Sequence, residues 1–176
     1  MTNSSYERLE AIFERIALLT NGERNLSWDR RTLMPRGGGE TRAKVVSTLR
    51  TIANETLCSP EVRDLLDTTE AAGLANLDPW QAANLREMRR LWRHVTAVPI
   101  SLQSAIAELA GPTESAWECA RRNNDFEGFV APLRAYLELQ TEASRIRGEA
   151  LGITPYDALL DEHEPGLRTA TIDPLF

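Results

Sequence analysis

In 176 residues the chain has only two cysteines, Cys58 and Cys119, and only two histidines, His94 and His163. Two widely spaced cysteines cannot build the disulfide framework of a small secreted domain. Each falls in a helical pattern, so both are expected to be buried thiols in a reducing compartment. Two histidines leave little room for a nucleophile, histidine and acid set, and none can be assembled locally. No apolar run approaches the roughly 18 residues needed to cross a bilayer. The opening MTNSSYERLE has neither the basic nor the apolar stretch of a secretory signal. A cytoplasmic protein with no membrane partner is therefore expected. Strict apolar–polar alternation, internal repeats, low-complexity tracts and a dividing linker are also missing. Their absence predicts a single all-α domain over 1–176, with seven to eight helices in an irregular bundle.

What is present is ordinary globular material, 42% hydrophobic and 26% charged, which excludes a disordered or fibrous chain. A chain of this length buries roughly 70% of its unfolded surface, enough for a sizeable core. A formal net charge of -6 argues against nucleic acid as a partner unless a basic face is segregated from the rest.

Apolar residues Tyr6, Leu9, Ile12, Phe13, Ile16 and Leu19 recur at three and four, predicting a first helix of about four turns that stops near Asn21-Gly22. A short helical stretch over 26–33 is expected to end before Pro35, and Ala43, Val46, Leu49, Ile52 and Ala53 predict another long helix. Ser59-Pro60, Asp78-Pro79 and Thr154-Pro155 each put a capping side chain ahead of a proline at the first helical position. Helices are further expected from Trp80 to before Pro99, over about 100–122 with a possible bend at Gly111-Pro112, and from Phe126 to Leu151 ending at Gly152. Residues 169–176 read as the cap and first turn of one more helix that stops unfinished, as expected of a piece of a longer protein.

Four features could carry chemistry. In PRGGGETRAK, a glycine run entering a helix could offer backbone N–H groups to an anion, with charge from Arg36, Arg42 and Lys44. It lacks the Gly-x-x-x-x-Gly-Lys-Ser/Thr spacing and a preceding strand. The favoured reading is a hinge, with Gly37, Gly38 and Gly39 supplying permissive backbone angles between helices. DEHEPG, residues 161–166, begins the His-Glu pattern of a zinc peptidase, but Leu167 stands where the second histidine belongs and Pro165-Gly166 would break the helix. No catalytic residue and no metal ligand is assigned. REMRRLWRH places Arg86, Arg89, Arg90, Arg93 and His94 on a basic stripe, read as a solvated face bridged to carboxylates, with RNA as the rival. Trp28, Trp80, Trp92 and Trp117 are expected to be packing residues, with Trp28-Asp29 as one indole–carboxylate pairing.

SWDRRTLMPRGGGETRAK, LDPWQAANLREMRR, NNDFEGFVAPL and TPYDALLDEHEPG, in that order, together resemble the N-terminal third of the carboxypeptidase Taq family. The resemblance implies a cytoplasmic, all-helical zinc carboxypeptidase, about three times longer and usually homodimeric, that removes C-terminal residues from peptides. It implies that zinc, held by a His-Glu-x-x-His helix and a later glutamate, activates water. No cofactor is expected in this chain, because that part of the family pattern lies beyond Phe176, and a peptide substrate is expected only with the catalytic region present. The helices here would help wall the peptide groove, inactive by themselves. The alternative is a stand-alone interaction or self-association module. Arg30-Arg31 and His163 depart from the family pattern, which tends to an acidic or amide residue after Trp-Asp and to Tyr at the second place.

Overall fold

A computed structural model describes residues 2–176, apart from the side chains of Thr2, Asn3, Ser4 and Arg36. The described residues form eight α-helices: α1 (Thr2–Thr32), α2 (Gly39–Leu57), α3 (Pro60–Ala71), α4 (Pro79–Ala97), α5 (Ile100–Asn123), α6 (Phe126–Leu151), α7 (Pro155–His163) and α8 (Thr169–Ile172), with single 3-10 turns between or after them. No strand occurs among the described residues, and no helix among them is long and apolar enough to cross a membrane. The all-α expectation holds. The chain divides into two compact units, Met1–Val95 and Thr96–Phe176.

In the first unit α1 packs on α2 and α3. Tyr6, Leu9 and Ile12 of α1 meet Leu57, Val62, Leu66, Leu85 and Met88 in one buried cluster, flanked by Phe13, Ile16, Leu65, Leu77, Trp92 and Val95. Each fully buried side chain of this size stabilises by about 1.5–3 kcal/mol. The buried Tyr6 hydroxyl accepts a hydrogen bond from Asn84 Nδ2 at 3.2 Å, which removes the cost of an unsatisfied polar group.

The two helices expected before Pro35 are one, because α1 runs unbroken through Asn21-Gly22. An interior glycine costs about 1 kcal/mol against alanine, but Gly22 has no positive φ and Leu49 of α2 lies 3.7 Å from where its Cβ would stand. Packing against α2 keeps the helix going. It ends when Leu33 and Met34 both donate to Asp29 O at 3.0 Å, with Arg30 and Arg31 in the last turn, where cations suit the helix dipole.

The three proline-led starts fall where the capping pattern puts them. Ser59 accepts from Val62 N. Asp78 Oδ1 accepts from Trp80 N and Gln81 N at 2.8 and 2.9 Å, while Gln81 Oε1 accepts from Asp78 N at 3.1 Å, closing a reciprocal capping box. Thr154 Oγ1 accepts from Asp157 N at 3.1 Å.

In the second unit α5 pairs with α6, and α6 with α7. The helix over Ile100–Asn123 passes through Pro112 without interruption. It ends at Asn124, whose φ of 53 is left-handed, and α6 ends at Gly152 with φ 71. The α6–α7 approach is close: a Cβ on Gly148 would sit 2.8 Å from Ile153 O and 3.2 Å from Pro155 Cα, so only glycine fits without backbone movement.

Candidate functional site

The glycine stretch does join two helices. Arg36–Gly38 forms a 3-10 turn between α1 and α2, and all three glycines keep negative φ. The permissive angles expected of Gly37, Gly38 and Gly39 are therefore not used. Gly38 instead gives room, since its Cβ would meet Met34 Cγ at 3.3 Å. Arg42 pairs with Asp29 across the turn and reaches Leu26 O. Asp29 thus faces an arginine, where the sequence had offered the Trp28 indole. Lys44 pairs with Glu40 at 2.6 Å on the exposed face of α2, and the Arg36 side chain lies outside the described residues. Of the anion-binding candidates described, each is engaged by a carboxylate of this chain.

Two arginines of the α4 stripe are likewise paired. Arg89 binds Glu70 at 2.9 Å and Asp67 at 2.5 Å, both on α3, and lies 5.0 Å above the Trp92 ring. Burial works against its charge, yet the hydrogen bonds to Glu70 and Asp67 outweigh it and hold the guanidinium above its ordinary pKa. Arg90 binds Glu87 at 2.5 Å, three residues back. His94 is buried rather than solvated, although it stands one turn after Arg90 on α4.

DEHEPG forms a staple, where a ligand pair might have stood. His163 is the last, exposed residue of α7, and the chain then turns at Gly166, φ 83. Asp161, buried, accepts from Gly166 N at 3.0 Å and from Arg168 Nη1 at 2.7 Å. Asp157, also buried, accepts from Thr169 N at 2.7 Å. That backbone hydrogen bond, helped by Thr154 and Arg168, holds its carboxyl below the usual range despite burial. Arg147 of α6 pairs with Glu162 of α7, and an open cleft of about 680 Å³ beside it is lined by Arg145, Gly148, Thr154 and Asp157 among others. Arg145 is itself bound by Glu142 and Glu149, which raise its pKa. Asp157 and Arg168 were not singled out in the sequence, and Asp161 only as part of DEHEPG. Two aspartates one helical turn apart before a Pro-Gly break were the only signal of the staple, and nothing marked Arg168.

Three of the four tryptophans are more exposed than expected. Trp28, Trp80 and Trp117 are 61%, 80% and 44% exposed, and only Trp92 packs against the core cluster. Cys119 is exposed and Cys58 half-buried, so neither is the fully buried thiol expected, although burial still pushes the Cys58 thiol up. Helical periodicity picks out an apolar face without saying what covers it. A second cleft, of about 320 Å³, runs between α5 and α6, with Trp117, Phe129, Leu133 and Tyr136 in its walls.

A zinc centre does not fit these residues. Among the described residues no three His, Cys, Asp or Glu side chains converge as a ligand set, and His94 and His163 lie on different helices in different units.

The family model for carboxypeptidase Taq (M32) metallopeptidases matches residues 8–176. Thermostable carboxypeptidase 1 of Thermus thermophilus is 31% identical over 98% of this chain and 36% of its own length. Among solved structures, Trypanosoma cruzi metallocarboxypeptidase 1 superposes with a TM-score of 0.88 at 30% identity, covering 97% of this chain and 34% of that one. The M32 carboxypeptidase of Deinococcus radiodurans gives 0.82 at 26% identity, over 97% and 34%. The chain thus spans about a third of the length of the relatives it matches.

Proposed function

The chain belongs to the carboxypeptidase Taq (M32) metallopeptidase family, and from there we propose that it acts as the N-terminal helical region of a zinc carboxypeptidase and hydrolyses nothing by itself. One observation carries this reading: the match is nearly complete on this chain and covers only about a third of the relatives. In such an enzyme zinc would supply a Lewis acid and an activated water. The residues present here offer no place for it, so no chemical step is assigned to them. Their work is to hold a wall: the α1–α4 core fixes one unit, and the Asp157 and Asp161 staple fixes the turn after α7.

The assay is direct. The 176-residue chain, incubated with peptides and with added zinc or cobalt, is expected to release no free amino acids. Metal-dependent release of C-terminal residues would overturn the reading. Pairing as a homodimer and a cytoplasmic setting belong to the same proposal, and sedimentation of the chain tests the pairing. Nucleic acid is not expected to bind, since Arg89, Arg90, Arg42 and Lys44 already face carboxylates. Binding of RNA that falls steeply with salt would contradict this.

The exposure of Trp28, Trp80 and Trp117 favours a second reading, a helical module that works by association alone. A monodisperse monomer that takes up little hydrophobic dye would remove it.

A further inference from the structure

We infer that the α5–α6 groove is the seat of an apolar helix from the remaining two-thirds of a carboxypeptidase chain of this family, an inference that rests on the function proposed above. None of the 24 residues of α5 is buried. In α6 the buried residues are Ala143, Ser144 and Gly148, all in the C-terminal part, where Gly148 meets the start of α7. From Phe126 to Glu142 nothing in α6 is buried.

Two helices packed side by side cannot enclose a core. A third element must close the face that both present. The groove already has the form of such a face. Ala110, Thr113 and Trp117 of α5 stand opposite Phe129, Leu133 and Tyr136 of α6, and Glu114 is the one charged residue in the lining. Trp117 is held with the Arg121 guanidinium 5.6 Å from its ring, yet is 44% exposed. A large aromatic fixed in place at the rim of an apolar groove is typical of an anchor for a packed partner.

The occupant follows from length. The solved relatives superpose on 97% of this chain, and that match accounts for only 34% of their own residues. About two-thirds of such a chain therefore packs outside the matched region, and a long helix without one buried residue is where it has room to pack. A second copy of this chain is the rival occupant, because its Trp28 and Trp80 are exposed too, and the test separates the two.

The test joins this chain to the rest of Thermus thermophilus thermostable carboxypeptidase 1 in place of that enzyme's N-terminal third. Trp117→Glu is compared with Ser115→Glu, which puts the same charge on an exposed α5 position outside the groove lining. In the 176-residue chain alone, both variants are expected to keep the parent's helicity and melting temperature. In the chimera, Trp117→Glu is expected to lose carboxypeptidase activity and soluble yield while Ser115→Glu keeps both. An active chimera indifferent to Trp117→Glu would overturn the groove assignment and leave the proposed function standing. So would equal damage from Ser115→Glu, or unfolding of the isolated chain by Trp117→Glu. A parent chimera that does not fold would overturn the proposed function, and this inference with it. If Trp117→Glu converts an isolated dimer to monomer without harming the chimera, the groove belongs to a second copy.

Discussion

The residues before and after Val95 are equally helical, but they keep their apolar side chains differently. In the first unit eight apolar residues drawn from all four helices close on one another. In the second the buried apolar residues are Val98, Ala143 and Ala158, and α6, α7 and the segment after them are joined by polar fasteners: the Asp157–Thr169 and Asp161–Arg168 hydrogen bonds and the Arg147–Glu162 pair. A cluster of large apolar groups is stable at any ordinary pH and scales with buried area. A set of fasteners positions the backbone closely but contributes less net stability, because each hydrogen bond replaces one to water. The first unit has the makings of an independent core, and the second that of a shaped surface.

The difference should be plainest for Leu66→Ala. Leu66 is fully buried, so its truncation is expected to cost about 2–5 kcal/mol, measured by urea unfolding with hydrogen exchange to tell the units apart. A loss shared equally by both units would mean that they unfold as one and that the contrast is only architectural. Gly148→Val drives side-chain atoms into the Ile153 carbonyl and Pro155. A cost of about 1–3 kcal/mol is expected, with exchange protection lost in α6 and α7 and retained in the α1–α4 core.

Acid sharpens the comparison from the other side. The Asp157 carboxyl is held below its ordinary pKa in the folded chain, so its contribution is present above the unfolded value, near 3.9. That contribution is lost as pH falls through the lower folded value. Between about pH 5 and pH 2, amides of α7 and α8 should therefore lose protection before those of the apolar core, and the effect should be absent in Asp157→Asn. The smallest effect is expected from Leu137→Ala. Leu137 is 50% exposed, so the same chemical change that cripples position 66 should stay within about 0.5 kcal/mol. A cost approaching that of Leu66→Ala would show the second unit to have a core after all.

Which parts of this were legible in the sequence follows the range of the forces. Helix starts were, because Ser59, Asp78 and Thr154 each act on backbone two or three residues away. The core cluster was largely visible as the apolar stripe of Tyr6, Leu9 and Ile12. The break at Gly22 was misplaced because a neighbour distant in sequence, Leu49, keeps the helix going. Partners were the least legible. The periodicity that marks Leu9 as apolar-faced marks Trp117 equally, although one is enclosed and the other stands in the open. The same holds for the arginines: nothing local to Arg42 or Arg89 names Asp29, Asp67 or Glu70. Family likeness supplied what periodicity could not, because four separate stretches in order constrain the whole chain at once.

The length of α1 has a last consequence. At 1.5 Å per residue, the 23 positions from Tyr6 to Asp29 cover about 35 Å, so the enclosed end of the helix and the end tied by Arg42 are separated by several times the reach of any side chain. The first is kept in place by exclusion of water, and the second by the Arg42–Asp29 pair, the Arg42–Leu26 hydrogen bond and packing on α2. A disturbance at the glycine turn is therefore expected to leave the far end of the helix unmoved.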